Sequence, residues 1–553
     1  MLLLLLLLPL AQSTRPKVII TALLDDFGYA SASFNRDPAA TPPETCTPHL
    51  DALARDGVVL RRYYVHSFCS PSRASFLSGR LPVHVQQTNT QPDQPSCGIP
   101  YAMSTLPELL RTAGAPVDAY MLGKYDMGAA HARHTPEGRG FNGSLIYFSH
   151  AIDAFTQNDY CGPNSTGGGC TCGDKYVDLW DSGAPAATLN GTGYADALFL
   201  ARALQLIAGH DYASGRTLWL HYCPHSTHDP LQATPAMLAP LANTTDDESL
   251  CQASVAASAT GALYPGGSLP THCRRTFEAM AQWLDGAFGQ LRAALEAAGV
   301  WDSSLLWASA DNGGQGDLLF GGGSNYPLRG GKGGMFEGGV RVAALVSGGL
   351  VPPQRRGALE TGLVHAADAL ATVCGLLGAA SACALDARAA AAGLPPLDSL
   401  DVWPLLSGAN STSPRVEVPL GPAALVTAQW KLLLGTQAVA GWHGPLFPNA
   451  SSPGSDPHGQ TLQCGAGGCL FEVGGGDAGE HQDQAAARPE VAAALAARLA
   501  ALRPGFFTNS DSEALLECAH NASLSVHGEC ACDLASRSGG FFMGGWARLR
   551  GPR

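Results

Sequence analysis

Two pairs of oxygen-bearing side chains follow strand-like runs in this sequence of 553 residues. Asp25 and Asp26 come directly after one apolar run, and Asp311 and Asn312 follow another. Because ligand crevices in open α/β sheets form at the carboxyl ends of strands, these side chains can meet at one edge. Three carboxylates and one amide make a hard site, which favours Ca²⁺ with Mg²⁺ as the runner-up. Either pair alone is as well explained by a turn or a helix cap, but two pairs at two strand ends favour a metal site.

A cysteine in an arginine-containing segment is the most informative stretch. Residues 69–80 read Cys-Ser-Pro-Ser-Arg-Ala-Ser-Phe-Leu-Ser-Gly-Arg, and this segment closely resembles the signature of the sulfatase family. Cys69, Pro71 and Arg73 match the Cys-x-Pro-x-Arg core, which in that family directs oxidation of the cysteine to formylglycine in the endoplasmic reticulum. The resemblance implies a formylglycine-generating enzyme as a partner during maturation. The alternative for a bare cysteine is a disulfide partner or a buried thiol, and the length of the match argues against it.

The resemblance to the sulfatase family extends over most of the chain and is nearest to its arylsulfatase B-like branch. Counterparts occur in the family's order at segments 25–29, 47–51, 123–124, 226–232, 311–314, 327–332, 336–341, 429–435 and 470–472. The family implies an alkaline-phosphatase-like fold of the α/β class. In that fold, a large sheet domain flanked by helices precedes a smaller C-terminal domain with an antiparallel sheet and a helix.

The resemblance assigns the central chemistry to Cys69. As a hydrated aldehyde it would carry one hydroxyl to attack sulfur and another to expel sulfate, and it would join the four oxygen ligands around the metal. A divalent ion there offsets the charge of a sulfate and lowers the pKa of a coordinated hydroxyl. Arg73 is expected to hold the modified side chain and the metal-binding carboxylates, since a guanidinium keeps its charge and offers several fixed donors.

Three further side chains match family positions around the sulfate. Lys124 and Lys332 match lysines that grip the sulfate. His228 matches a histidine near the leaving oxygen, where a proton donor suits the developing alkoxide. Lysines in loops are usually solvated and a lone histidine is usually structural, so these assignments depend on the motifs around them.

One position departs from the family pattern. The family's Gly-Lys-x-His-x-Gly occurs here as Gly-Lys-Tyr-Asp-Met-Gly at 123–128, so Asp126 replaces the histidine that helps to deprotonate the second hydroxyl. A carboxylate can act as a base, but it places negative charge close to a sulfate. Two hypotheses follow: Asp126 is a substitute base with lowered or shifted activity, or turnover is lost.

Together these motifs predict a sulfuric-ester hydrolase that releases inorganic sulfate from aryl or carbohydrate sulfate esters. A phosphodiesterase or phosphonate hydrolase on the same scaffold is the alternative enzyme, because oxyanions of phosphorus and sulfur need similar cations. A catalytically impaired binder of sulfated glycans is the alternative outside catalysis, and it would follow from Asp126.

Apolar runs alternate with helical stretches, which indicates an α/β sheet. The strand-like runs are residues 17–24, 58–65, 117–122, 217–222 and 303–309. Thr47 and Pro48 mark a helix start as cap and first-turn proline. A second helix, which ends before Gly299, is predicted from one apolar face. That face consists of Phe277, Met280, Leu284, Phe288, Leu291 and Leu295.

The chain divides into a leader and two predicted domains. Residues 1–13 are interpreted as a signal peptide, truncated or minimal because the charged start is missing. Residues 14–415 are predicted to be the catalytic domain and 416–553 a smaller C-terminal domain. The smaller domain is expected to contain a strand at 424–434 and an Ala-rich helix at 486–503.

Charge and apolar patterning exclude two classes of protein. A net charge of −13 argues against a nucleic-acid binder, because neutralising phosphates needs clustered positive charge. No segment after the leader reaches about 18 uninterrupted apolar residues, so no transmembrane segment is predicted. The oligomeric state is left open.

Sixteen cysteines and seven Asn-x-Ser/Thr triplets point to the secretory pathway and to a secreted, extracellular or lysosomal protein. Candidate disulfides join Cys374 to Cys383 and Cys464 to Cys469. The Cys-x-Cys pairs at 170/172 and 530/532 could bind zinc, but disulfides are favoured there too. Segments 161–192 and 242–272 carry such triplets and are predicted to be surface insertions. The triplets begin at Asn142, Asn164, Asn190, Asn243, Asn410, Asn449 and Asn521.

Overall fold

The computed structural model describes residues 15–36, 46–89, 98–129, 132–160, 176–241, 274–315, 321–442 and 460–508. The predicted signal peptide, the predicted insertion at 242–272 and both Cys-x-Cys pairs lie outside these residues. Within the described ranges, no helix combines the length and the apolar character that crossing a membrane requires.

The secondary structure consists of short, mostly buried elements. In chain order the strands are β1 (Val18–Leu24), β2 (Val58–Leu60), β3 (Tyr63–Tyr64), β4 (Val117–Lys124), β5 (Gly143–Tyr147), β6 (Trp180–Asp181), β7 (Ala184–Pro185), β8 (Thr217–Cys223), β9 (Ser304–Ala310), β10 (Arg341–Val342), β11 (Ala344–Ser347), β12 (Ala358–Glu360), β13 (Val364–His365), β14 (Glu417–Gly421), β15 (Ala424–Thr427), β16 (Lys431–Leu433), β17 (Thr436–Ala438), β18 (Thr461–Gln463) and β19 (Cys469–Phe471). The helices are α1 (Pro48–Arg55), α2 (Cys69–Ser78), α3 (Pro82–Val85), α4 (Leu106–Thr112), α5 (Ala195–Gly209), α6 (Pro235–Leu238), α7 (Arg274–Ala297), α8 (Glu337–Val340), α9 (Asp368–Leu376), α10 (Ala387–Ala391), α11 (Trp403–Ser407) and α12 (Pro489–Leu502).

A large mixed sheet organises the first part of the chain. Among the described residues its strand order is β12-β2-β11-β9-β1-β8-β4-β5-β6-β7. The central strands β9, β1, β8, β4 and β5 run parallel. Strands β1, β8 and β9 are buried along their whole length, as parallel strands covered on both faces usually are. The five parallel strands therefore end at one edge of the sheet.

Two groups of helices cover this sheet. In the first, α7 contacts α1, α5 and α6, and in the second α2 contacts α4 and α9. The predicted apolar face of α7 is confirmed, because each of its six residues is at most 1% exposed. The predicted helix start at Pro48 is also confirmed. The carboxylate of Asp285 in α7 accepts hydrogen bonds from the amides of His49 and Leu50 at 3.1 and 2.8 Å, so α7 supplies partners for otherwise unpaired groups at the start of α1.

A smaller antiparallel sheet follows. Its strand order in the described part is β14-β15-β16-β19, with α12 packed on β15 and β16. The disulfides Cys374–Cys383 and Cys464–Cys469 are both formed, which confirms the predicted pairing. The α/β fold class, with a large sheet flanked by helices and a smaller antiparallel sheet, is confirmed. The boundary at 415/416 stays a prediction.

The predicted strand at 58–65 is wrong, because the run forms two strands in two sheets. Strand β2 pairs with β11 and β12 in the large sheet, whereas β3 pairs with β10 and β13 in a separate one. The guanidinium of Arg62, between the two strands, donates to the backbone carbonyls of Thr427 and Ala428. The two arginines at positions 61 and 62 thus interrupt the apolar run.

Two other predictions also differ in detail from the structure. Residues 424–434 form the hairpin β15–β16 instead of one strand, and the amide of Thr427 donates to the carbonyl of Trp430 across its turn. The described end of the predicted insertion 161–192 contains β6 and β7. These strands extend the large sheet, and Trp180 is completely buried. Residues 178–180 are therefore core, whereas 181–192 are exposed or half-buried apart from Ala186, as a surface segment would be.

A buried cluster of charges connects the antiparallel sheet to the separate sheet formed by β10, β3 and β13. Nζ of Lys431 in β16 lies 3.0 Å from Oε1 of Glu337 and 3.1 Å from Oε1 of Glu480. The hydroxyl of Tyr64 in β3 donates to Glu337 at 2.8 Å. Burial raises the pKa of Glu480 to about 7, whereas Lys431 and Arg341 outweigh burial and lower the pKa of Glu337. One lysine therefore serves two buried carboxylates.

Replacing Lys431 by methionine is expected to destabilise the protein by about 3–5 kcal/mol, because it removes the cation that two buried carboxylates share and leaves only Arg341 beside Glu337. The matched control is Arg498→Met. The side chain of Arg498 is 52% exposed beside Glu417, so its loss should lower Tm much less than the loss of Lys431. Thermal unfolding of the three proteins measures the difference, and equal shifts in Tm would contradict the assigned role of the cluster.

Candidate active site

Strands β1 and β9 bring the two predicted ligand pairs together. They are in register up to their last residues, so Asp25 and Asp26 lie beside Asp311 and Asn312. Nδ2 of Asn312 donates to Oδ1 of Asp26 at 2.7 Å, and the amide of Asp26 lies 3.3 Å from Oδ1 of Asp311. Asp26 has φ +54°, a left-handed conformation that aspartate adopts more readily than most residues. All four side chains are buried.

Helix α2 places Cys69 against these carboxylates. Cys69 is the first residue of the helix, and its Sγ lies 3.5 Å from Oδ1 of Asp25 and 4.0 Å from Oδ1 of Asp26. The helix is buried throughout and ends at Gly79, whose φ of +64° suits a glycine cap. A Cβ at Gly79 would lie 2.8 Å from Leu370, so close packing also requires glycine there.

Arg73 lies one turn after Cys69, on the same face of α2. Its Nε and Nη2 donate to Oδ2 of Asp311 at 3.0 and 2.7 Å. Nη1 donates to the carbonyl of Lys124 at 2.9 Å, and Nη2 lies 3.5 Å from Oδ1 of Asp25. One fully buried guanidinium thus contacts residues that follow or end three different strands.

The structure brings the predicted lysines and His228 to the same place. Nζ of Lys124, the last residue of β4, donates to both carboxylate oxygens of Asp25 at 3.1 and 2.9 Å. Nζ of Lys332 donates to Oδ2 of Asp26 at 2.7 Å and lies 2.9 Å from Nε2 of His228. His228 follows β8. The predicted residues Cys69, Arg73, Lys124, His228 and Lys332 therefore all adjoin the four predicted ligands.

Asp126 lies at the side of this cluster. Its carboxylate is fully buried, and Oδ2 is 3.8 Å from Nζ of Lys124. Oδ1 is 2.8 Å from Nδ1 of His150, which follows the neighbouring strand β5. Asp126 has φ +51°, so a second aspartate of the site is in the left-handed region.

Two buried aspartates fix the loops that follow β5 and β8. Asp178 accepts hydrogen bonds from the amides of Phe148 and Ser149 at 2.9 and 2.8 Å. Asp196, in the first turn of α5, accepts from the amides of His225 and Ser226 at 2.7 and 2.8 Å. These carboxylates hold the segments that carry His150 and His228.

The charged side chains of the cluster shift one another's pKa values. Burial opposes the charge of Asp25, but four neighbouring cations outweigh burial and hold the pKa of this carboxyl well below its usual range. These cations are His228, Lys124, Arg73 and Lys332. Burial raises the pKa of Asp311 to about 6, although Arg73 opposes that shift. The cations of the cluster thus stabilise the charge of Asp25 better than that of Asp311.

The pKa values of the cationic groups and of the thiol are all raised, which favours the charged form of the cations and the neutral form of the thiol. Burial opposes the charges of Lys124, Lys332 and His228, but the neighbouring carboxylates outweigh it and raise all three pKa values. Burial, with Asp311 adding to it, raises the pKa of the Cys69 thiol to about 11. An unmodified Cys69 is therefore a thiol at neutral pH and a poor nucleophile.

The residues fit a hard metal ion. Asp25, Asp26 and Asp311 supply carboxylate oxygens, and Asn312 adds an amide oxygen. Oδ1 of Asn312 is buried and has no hydrogen-bond partner among the described residues. Such an orphaned oxygen is costly unless it meets a partner, and a cation with oxygen ligands supplies one. Ligand atoms of Asp25, Asp26, Cys69 and His228 also lie within 4.8 Å of one another.

Some residues of the site escaped the sequence prediction. His150 was missed because β5 was not among the predicted strands, although the apolar run 145–148 after Gly143 is a signal for it. Asp178 and Asp196 act through the backbone of distant loops, which no spacing along the chain indicates. Asp229, whose Oδ1 lies 3.0 Å from Nδ1 of His228, directly follows that histidine and could have been proposed.

Replacing Asp196 by alanine is expected to accelerate hydrogen exchange at the amides of His225 and Ser226 by about tenfold to hundredfold, because both lose a buried acceptor. Asp178→Ala is the matched control and should accelerate only the amides of Phe148 and Ser149. Hydrogen exchange followed by mass spectrometry of peptides measures both. Protection that persists in Asp196→Ala would show that the loop is held by other contacts.

Comparisons with known proteins agree with this geometry. The model of the sulfatase family matches residues 17–379. Mouse (Mus musculus) arylsulfatase J is 28% identical over 525 residues, which cover 88% of this chain and 76% of that protein. Bovine (Bos taurus) arylsulfatase A is 30% identical over 420 residues, which cover 73% of this chain and 70% of that protein.

Solved structures confirm the fold. The protein Ps i-CgsB, also solved in complex with k-i-k-neocarrahexaose, has a TM-score of 0.66 at 21% identity, covering 93% of this chain and 98% of that one. A phosphonate monoester hydrolase of Agrobacterium radiobacter has a TM-score of 0.51 at 17% identity, covering 89% and 96%. The fold is thus shared by more than one activity, whereas the family match and the arylsulfatase relatives identify this chain as a member of the sulfatase family, a sulfuric-ester hydrolase.

Proposed function

We propose that this sulfatase releases inorganic sulfate from aryl or carbohydrate sulfate esters with a formylglycine made from Cys69 and with a bound Ca²⁺. The observation that carries the proposal is the position of Cys69. It begins a buried helix, its Sγ lies 3.5 Å from Asp25, and Arg73 follows one turn later. The family uses both groups, and the neighbouring residues suit both.

Asp25, Asp26, Asp311 and Asn312 would hold the metal ion. Oxygen ligands from carboxylates and an amide suit Ca²⁺, and Mg²⁺ is the runner-up because it keeps more of its water. Bound there, the ion supplies positive charge next to a sulfate and lowers the pKa of a coordinated hydroxyl. Arg73 keeps two of these carboxylates in place through Asp311 and Asp25.

A hydrated aldehyde at position 69 supplies one hydroxyl as nucleophile and a second that allows the product to leave. Arg73 and Lys124 are placed to orient that side chain, since Lys124 contacts the same Asp25 that lies beside Cys69. Lys124 and Lys332 keep their ammonium charges in this buried site and are placed to bind the sulfate oxygens.

His228 is placed to give a proton to the leaving oxygen. Its Nδ1 lies 2.6 Å from the backbone carbonyl oxygen of Asp229 and 3.0 Å from a carboxylate oxygen of the same residue. These contacts orient the ring and leave Nε2 on the side of Lys332. A proton held at Nε2 then faces the cluster, where a departing alkoxide requires it. Asp126 is proposed as the base of the site in place of the family's histidine.

The substrate class and the location are proposals of the same kind. Carbohydrate sulfates gain support from the oligosaccharide complex of Ps i-CgsB, and aryl sulfates from the arylsulfatase relatives. The two disulfides and the seven glycosylation triplets support passage through the secretory pathway to the outside of the cell or to the lysosome. A formylglycine-generating enzyme would act on the chain in the endoplasmic reticulum.

Protein isolated from a eukaryotic secretory pathway is expected to contain an aldehyde in place of the Cys69 thiol. Mass spectrometry of the peptide with position 69, and labelling with a carbonyl-reactive hydrazide, measure it. Cys69→Ser should abolish the labelling and sulfate release. Cys46→Ser is the matched control, because Cys46 is exposed, and should change neither. An intact thiol at position 69 would sink the formylglycine proposal and favour a binder of sulfated glycans.

Paired aryl sulfate and aryl phosphate esters test the alternative enzyme. The proposed function expects faster release from the sulfate ester, since the family and the arylsulfatase relatives favour sulfur. Faster release from the phosphate or phosphonate ester would favour a hydrolase of phosphorus esters, which the shared fold permits.

Asp311→Asn is expected to weaken Ca²⁺ binding by at least about tenfold, because the change removes one charge from the ligand set. Asp302→Asn makes the same chemical change at an exposed position just before β9 and should leave the affinity unchanged. Titration calorimetry with Ca²⁺ and with Mg²⁺ measures both variants. Equal affinities of the two variants would place the metal elsewhere, and tighter binding of Mg²⁺ would overturn the choice of Ca²⁺.

A further inference from the structure

We propose that His150 is a positioning residue that acts through Asp126, and that the two together replace the histidine that the family has at position 126. In this arrangement, Nδ1–H of His150 donates to Oδ1 of Asp126, and Oδ2 remains directed toward Lys124 and the reacting group. The proposal rests on the proposed function and names a residue that the family motifs do not include.

The contact between His150 and Asp126 is short, and the carboxylate of Asp126 has no other hydrogen-bond donor in the described part of the chain. Nδ1 of His150 lies 2.8 Å from Oδ1 of Asp126, but the two groups are not yet aligned as a hydrogen bond, and neither carboxylate oxygen has another hydrogen-bond partner there. A fully buried carboxylate without a donor is costly. Catalytic hydrogen bonds often align only when substrate binds. The ring of His150 is therefore the donor available to this carboxylate.

The pairing of strands in the large sheet brings Asp126 and His150 together. Strands β4 and β5 are parallel neighbours, and the last residue of each, Lys124 and Tyr147, are partners in register. Asp126 and His150 follow these two strand ends at the same edge. The loop before His150 is fixed by Asp178, which accepts the amides of Phe148 and Ser149. The position of the imidazole is thus set by the fold and not by a freely rotating loop.

The pair is connected to the reacting group through Lys124 and Asp25. Lys124 connects them, because its Nζ is 2.9 Å from Oδ2 of Asp25 and 3.8 Å from Oδ2 of Asp126. Sγ of Cys69 is 3.5 Å from the same Asp25. Two side chains, Lys124 and Asp25, therefore connect Oδ2 of Asp126 to position 69, while Oδ1 is in contact with His150.

The chemistry explains why a carboxylate needs this partner. A lone carboxylate at position 126 would repel a sulfate anion and could rotate either oxygen toward it. A donor on Oδ1 occupies that oxygen and prevents rotation of the carboxylate, so Oδ2 is the oxygen left to take a proton from a hydroxyl of the reacting group. One proton moves from that hydroxyl to Oδ2, and the bond from Nδ1 to Oδ1 holds the carboxyl group in place during the transfer.

The kinetic test removes and restores the donor. His150→Ala is expected to lower kcat for sulfate release by roughly 10- to 100-fold with little change in KM, because the base loses its orientation. His150→Asn, whose side-chain amide can donate from about the place of Nδ1, should recover most of this loss. His84→Ala is the matched control. Nδ1 of His84 lies 2.8 Å from Asp398, and its side chain is 19% exposed against 18% for His150.

A double-mutant cycle separates positioning from general structural support. In an Asp126→His background, which restores the family's imidazole, His150→Ala should cost less than about 3-fold. An equal cost in both backgrounds, or an inactive Asp126→His protein, would overturn the proposal. A comparable loss of kcat in His84→Ala would do the same.

A spectroscopic readout does not depend on activity. Proton and nitrogen NMR of histidine-labelled protein should show a downfield, exchange-protected Nδ1 proton that disappears both in His150→Asn and in Asp126→Ala. The corresponding signal of His84 should persist in both variants. Sulfate release by the wild type without the His150 signal would overturn only this proposal. No release from any variant with a converted Cys69 would overturn the proposed function, and the role of His150 with it.

Discussion

Compensation of buried charge is the constraint on which the site depends. Asp25, Asp26 and Asp311 lie at the edge of the large sheet with almost no access to water, and each contacts at least one cationic side chain. Arg73 is central, because it contacts Asp25 and Asp311 and also the backbone of Lys124. Removing one partner of a buried ion pair usually costs several kcal/mol. The fold therefore has to deliver all of these groups to one point, or none of them is stable there.

A parallel sheet satisfies this constraint economically. Five neighbouring strands end at one edge, so one or two polar residues at or after each strand end assemble much of the cluster, and α2 adds Cys69 and Arg73. The loops beyond the strand ends need separate support, since a short loop alone does not fix a side chain. Asp178 and Asp196 provide it by accepting backbone amides. These buried carboxylates use hydrogen bonds where the reacting cluster uses cations.

The sequence predicted the residues of the site better than the partners that hold them. Polar pairs directly after apolar runs, such as Asp25 and Asp26, identify a strand end by local pattern alone. The motif around Cys69 identified the cysteine and Arg73, but the helix that carries them was not predicted. The contact between Asp126 and His150 was missed because strand β5, which pairs with β4, was not predicted. The predicted strand at 58–65 was wrong because of a contact between distant parts of the chain. Arg62 donates to backbone carbonyls more than 360 residues away, and such a contact overrides a local pattern.

The parallel pairing of β4 and β5 explains how the family's histidine at position 126 can be replaced while an imidazole stays nearby. An imidazole at position 126 would reach the reacting group from the end of β4. Here a carboxylate occupies that place, and an imidazole comes from the end of β5, the adjacent strand. Because parallel neighbours end at the same edge, either strand can supply a group to almost the same point. A substitution that looks disabling in one motif is therefore best judged against the residues that follow the neighbouring strands.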